Sequence, residues 1–272
     1  MGPPAAPVPT LRERATKQID DSEARFAEAI SARPLSPDEK QMLDYGFWSI
    51  TFVIDPLNEE ALPDQDFLAK IGASNPKLTG WPMWLDARLM TNADNRPKVV
   101  GEAFEYLIFS LSSEFSNHID FARLDPKGEF FLHRLLQDDS VPSRIQPGRV
   151  LDPSLMIIRV AEALAVGIAF AKALGWVPDQ TTLGFGFRWS KLKGRHLTSW
   201  ANPLFDLGVG GTAHDDKIEA CVQFSLDTPL SAIPQFVNEA TKRLFVAFDG
   251  TTVPLQTTEK LVGRFFERKL GF

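Results

Sequence analysis

Arg188, Lys191, Lys193, Arg195 and His196 fall within nine residues that contain no acidic group. Guanidinium groups grip phosphate or carboxylate through two parallel hydrogen bonds. The run is therefore a candidate ligand-binding bend for an anion, a nucleic acid or a partner protein. Its plain counterpart is a solvated turn decorated with charge. A second cluster is His133 with Asp138 and Asp139. Grouped carboxylates and imidazoles are what a metal-dependent hydrolase or nuclease needs to hold divalent ions, although neighbouring aspartates are commoner as turn and cap residues. A third is Arg159 and Glu162, three apart in an otherwise apolar stretch and so on one face if that stretch is helical. They either pair as a structural ion pair or line a pocket, since neither is cheap to bury alone.

Most signatures of catalysis are missing. The chain has no GxxxxGK[ST], no GxSxG and no HExxH. The glycines at 208, 210 and 211 lack a following lysine and read as a flexible connection. His118, His133, His196 and His214 are scattered, with no pair at ligand spacing. Cys221 alone cannot close an intramolecular disulfide or build a thiolate zinc site, which points to a reducing, cytoplasmic setting. No catalytic set, metal set or cofactor is indicated, and binding is favoured over catalysis.

The composition sets the frame for these residues. Of 272 residues, 44% are hydrophobic and 24% charged, as in ordinary folded domains. The formal charge of −6 is not that of a duplex-binding domain, so nucleic acid would need a local basic patch. Twenty-one Phe and six Trp predict a core rich in rings. No secretory signal is visible at the N-terminus. Residues 155–174 are apolar enough to suggest a span, but Arg159, Glu162 and Lys172 make a buried central helix the better reading.

Local patterning then places the elements. Residues 1–10, rich in proline, read as a disordered leader, and 11–33 as a charged helix: a linker or oligomerisation element, or, as its short apolar seam favours, a helix packed on its own domain. Residues 34–272 read as a single domain. Strands are predicted over 46–54, 101–111 and 182–190, the last with Leu183, Phe185, Phe187 and Trp189 on one face and Gly184, Gly186 and Arg188 on the other. Asp125-Pro126-Lys127-Gly128 predicts a hairpin turn. Residues 137–148 read as a polar loop. Asp152 and Pro153 predict the start of the central helix and Gly175 its end. Residues 195–200 are expected to return from the 191–194 turn as a hairpin, residues 217–226 alternate as a strand, and two amphipathic helices close the chain. The fold class is α+β: a largely antiparallel sheet packed on a long buried helix, with further C-terminal helices gathered on one face.

Three segments carry a resemblance: TGWPMW at 79–84, LDPKGEF at 124–130, and FRWS at 187–190 with GRHLTSWANP at 194–203. They resemble the region that follows the AlbA-like (Schlafen-like) DNA-binding domain in some bacterial ATP-binding proteins, over most of residues 40–270. That N-terminal domain has no counterpart in this chain. The resemblance implies an accessory sensing or interaction module, working beside a separately encoded ATP-binding or DNA-binding partner. The expected function is thus a non-enzymatic module binding an anionic ligand, nucleic acid or partner through the 188–196 bend. The alternatives are a metal-dependent hydrolase or nuclease, and a structural or homo-oligomerising domain. No membrane role is expected.

Overall fold

The computed structural model describes residues 9–111, 116–202 and 205–269; most of the predicted leader lies outside the described residues. Thr10 caps helix α1 (Leu11–Ser31) in a capping box with Glu13, which satisfies two backbone donors that a helix start leaves open. Ser36 and Glu39 repeat the device at α2 (Pro37–Met42). Then come strand β1 (Phe47–Asp55), helix α3 (Gln65–Ser74), and strands β2 (Lys98–Val100), β3 (Ala103–Ser110), β4 (His118–Asp125) and β5 (Glu129–Leu135). A helical turn α4 (Gln137–Ser140) and the short β6 (Val150–Leu151) lead to the long α5 (Pro153–Ala173). The chain closes with β7 (Thr182–Trp189), β8 (His196–Leu197), β9 (Ile218–Ser225), α6 (Ile233–Val246) and α7 (Leu255–Phe266).

Seven strands form one antiparallel sheet in the order β2-β3-β4-β5-β1-β7-β9. The pairing register aligns rings across strands. Phe52 lies opposite both Phe130 and Phe185, and stacks on Phe130 at 4.2 Å between ring centres. Against this face lies α5, capped by Asp152 and buried along most of its length. Each ring sealed there contributes roughly 1.5–3 kcal/mol relative to exposure. Gly167 lets α5 come close: a Cβ there would stand 2.6 Å from Phe185. By length and composition α5 could cross a bilayer, but 89% of its apolar window is buried inside this fold. The expected α+β class, the antiparallel sheet and the buried helix are all present.

Local expectations change in places. The C-terminal helices α6 and α7 gather with α5 on one face, but α1 packs on the opposite side of the sheet, over β1 and β7. The small residues Gly184 and Gly186 admit it: a Cβ at 186 would lie 3.2 Å from Ala15 and from Ile19. The gap beside those glycines is thus filled by the chain's own helix. Next, β8 does not return along β7. It pairs in parallel with β6, while β7 pairs with β1 and β9. Last, the stretch after β5 is not a solvated loop, since Asp138, Asp139 and Ser140 are buried. The strand expected over 101–111 is present as β3, and a short β2 that was not expected turns into it at Gly101, whose φ is 62°.

Candidate functional site

The basic bend does not assemble as a free anion site. Arg188 is only 6% exposed and is held by three carboxylates: Asp20 (2.7 Å), Glu23 (2.7 Å) and Glu219 (2.8 Å). Two of them come from α1, which the sheet's glycine notch draws over Arg188. Arg195 is 1% exposed, and its Nη1 donates to Asp139 at 2.8 Å and to the Val150 carbonyl at 2.9 Å. A guanidinium already held by its own carboxylates, three around Arg188 and the buried Asp139 on Arg195, has no uncompensated charge to offer an incoming anion. Lys191 and Lys193 stay exposed on the turn, and His196 meets Thr212 at the surface (3.0 Å). The five residues therefore face three different environments.

The His133–Asp139 segment is also committed to the fold. His133 is buried, 2.8 Å from the Ser49 hydroxyl and stacked on Phe47. Burial, reinforced by the charge of Arg188, pushes its pKa down to about 3. Asp139 is spent on Arg195 and on the Gly46 and Gly148 amides. Asp138 accepts from the Asp152 amide (2.6 Å) and the Trp200 indole (2.8 Å) through the same oxygen. Burial, with Asp152 nearby, pushes its pKa up to about 7. Among the described residues no group of three or more His, Cys, Asp or Glu could hold a metal ion.

The third pair leads to a cavity. Arg159 and Glu162 project from α5 and join at 2.7 Å, with Glu162 fully buried and Arg159 at 11% exposure. Both bind the segment before Trp81. Thr79 lies 2.7 Å from a Glu162 oxygen and accepts from Arg159 at 3.0 Å, and the Trp81 carbonyl accepts from Arg159 at 3.1 Å. On the other side Gln137 of α4 accepts from Arg159 Nη2 at 3.0 Å. The ion pair therefore pins three separate chain segments around one point.

Around that point is a cleft of about 440 Å³. Its apolar walls are Leu78, Trp81, Leu155, Ile158 and Phe265, and its polar groups include Thr79, Ser116, His118, Gln137 and Arg159. Trp81 lies flat on His118, ring centres 3.8 Å apart, and its indole donates to the buried Asp120 at 2.7 Å. Asp120 in turn takes both arms of Arg134, at 2.7 Å each. Arg134 also donates to the carbonyls of Pro82 and Met83, tying the Trp81 segment to the sheet. His118 lies 2.7 Å from the Ser116 hydroxyl. Burial pushes its pKa down to about 4 against the pull of Asp120, so the ring is neutral at pH 7. Arg268, just past α7, stands at the rim, exposed and without an ion pair among the described residues. This is the usual form of a small-molecule site: apolar walls with a few convergent polar groups.

A broader groove of about 490 Å³ lies between α1 and the β2 edge, with Arg25, Arg33, Arg96 and Lys98 on its walls. There Arg25 is paired with Glu28 and Glu105, and Lys98 with Asp94. Of the cleft residues, sequence reasoning singled out Arg159 and Glu162, and both alternatives raised for them hold at once: they form an ion pair, and Arg159 lines a pocket. It missed Trp81, His118, Gln137 and Arg268. The one available signal was a pair of charges in an apolar helix, which demands polar company from elsewhere in the chain. No family model, curated protein or solved structure matches this chain.

Proposed function

We propose that the chain is a non-enzymatic sensing module that takes a small anionic molecule into the cleft between α5, α7 and the Trp81 segment. The observation that carries this reading is Arg268, without an ion pair among the described residues, at the mouth of an otherwise charge-balanced, ring-walled cavity. An anion there gains a partner without breaking an existing ion pair. Binding is favoured over catalysis because His118, the imidazole nearest the cleft's hydroxyls, titrates near 4 and is a weak base at neutral pH. The role of accessory module beside a separately encoded partner rests on the family resemblance alone. Small molecules are favoured over nucleic acid by the net charge of −6 and by the engagement of Arg188 and Arg195.

Native mass spectrometry of protein purified from its own host would reveal a retained small molecule, and thermal-shift measurement with anionic metabolites would rank candidates. A ligand that binds only the folded state raises the melting temperature. Arg268→Glu, an exposed change, should leave the melting temperature of the free protein unaltered and abolish the shift. A shift undiminished in that variant, or no response to any anionic small molecule, refutes the proposal.

A further inference from the structure

Behind the cleft is a recess of about 20 Å³ that shares Trp81, His118, Gln137, Ser140 and Arg159 with it. Arg134 also lines this recess. Its side chain is 5% exposed, and Nη1 has no hydrogen-bond partner, whereas Nε and Nη2 are committed to Asp120. A buried guanidinium nitrogen without an acceptor is costly and calls for one. The volume decides the size of that acceptor: a cavity of roughly 10–15 Å³ holds one water-sized atom, so a single oxygen fits and a phosphate or sulfate group does not.

Charge decides its kind. The two guanidiniums on this recess, Arg134 and Arg159, are each matched by a fully buried carboxylate, Asp120 and Glu162. An ionised group pushed in beside them would add a buried charge with no counterion, while a neutral carbonyl oxygen adds none. Building on the ligand reading above, we infer that the ligand enters with a carbonyl oxygen leading into the Arg134 recess and its anionic group trailing at Arg268. Between the two ends the walls are Trp81, Leu155, Ile158 and Phe265. They suit a flat or apolar body. The ligand class is therefore an oxo-bearing ring with an anionic arm at the far end, not a free inorganic anion.

Isothermal titration of the wild-type chain with para-acetylbenzoate and para-isopropylbenzoate tests this directly. The two carry the same charge and are close in size, and the second has a CH bearing a methyl group in place of the carbonyl. A hydrogen bond from a charged donor predicts that the acetyl compound binds about 10-fold tighter or more. Acetophenone, with the carbonyl but no anion, should bind more weakly than the acetyl acid. In Arg268→Glu both acids should weaken together with their ratio kept. Replacing Arg134 and Asp120 jointly by Gln and Asn removes both halves of the pair and should bring the ratio to one. Equal affinity of the two acids for the wild-type chain overturns the inference, and if both are still lost in Arg268→Glu the cleft reading survives it. Failure of both acids to bind at millimolar concentration overturns both readings.

Discussion

Asp138→Asn separates the charge of a buried carboxyl from its shape. In the fold Asp138 is fully buried, one oxygen accepts from Asp152 and Trp200, and the other has no partner. Its pKa rises from 3.8 to about 7, because burial and the neighbouring Asp152 outweigh the Trp200 hydrogen bond and the charge of Arg195. The sign follows from proton counting. Between pH 3.8 and 7 the unfolded chain has released this proton and the folded chain retains it, so stability falls as the pH rises. The contribution is fully present below 3.8 and lost by pH 7, a total on the order of 4 kcal/mol. Asparagine keeps the accepting oxygen and does not titrate. Near pH 4 the protonated acid leaves one O–H donor and the amide two N–H donors without a partner, so the variant should be no more stable than the wild type there. At pH 8 the variant should be more stable by about 2–4 kcal/mol. Urea unfolding followed by tryptophan fluorescence from pH 4 to 8 measures the difference, and the His118 and His133 titrations, shared by both proteins, cancel from it. A stability difference that does not change with pH, or a variant weaker at pH 8, would refute the reasoning.

Other outcomes follow from the same contacts. Arg188→Met should cost roughly 1–3 kcal/mol in urea unfolding, less than for a sealed pair because Asp20 and Glu219 reach solvent; no loss would mean the triple contact is idle. For His133 the sign is opposite: its folded pKa near 3 lies below the ordinary 6.5, so its contribution is present above 6.5 and is lost as pH falls toward 3, by up to about 1.4 kcal/mol per pH unit. His133→Asn should flatten that acid limb in a pH series of melting curves. Gly167→Ala places a Cβ 2.6 Å from the Phe185 ring and should cost about 1–3 kcal/mol by forcing α5 off the sheet; an unchanged urea midpoint would show that the packing yields freely.

Much of the secondary structure was legible because its causes are local. Asp152-Pro153 starts α5 and Gly175 follows its end, and the alternation at 182–190 gives β7 with its ring face inward. The Asp-Pro-Lys-Gly turn joins β4 to β5. Each of these depends on residues within a turn or two of one another. The buried Asp138-Asp139 stretch was misread for the same reason: polar residues signal a loop by composition, and only a distant partner makes them interior.

The sequence alone determined the α+β class, the buried central helix and the presence of two charges that such a helix cannot leave unmatched. Tertiary structure decided which charges meet. Arg188 is closed off by carboxylates 165 and 168 positions earlier in the chain, and Arg195 by one 56 positions earlier, while Trp81 and His118 become stacked partners from separate segments. Periodicity and capping act over a few residues, so they shape helices and strands. Ion pairs and clefts depend on which elements the sheet order brings side by side, and no short-range pattern encodes that.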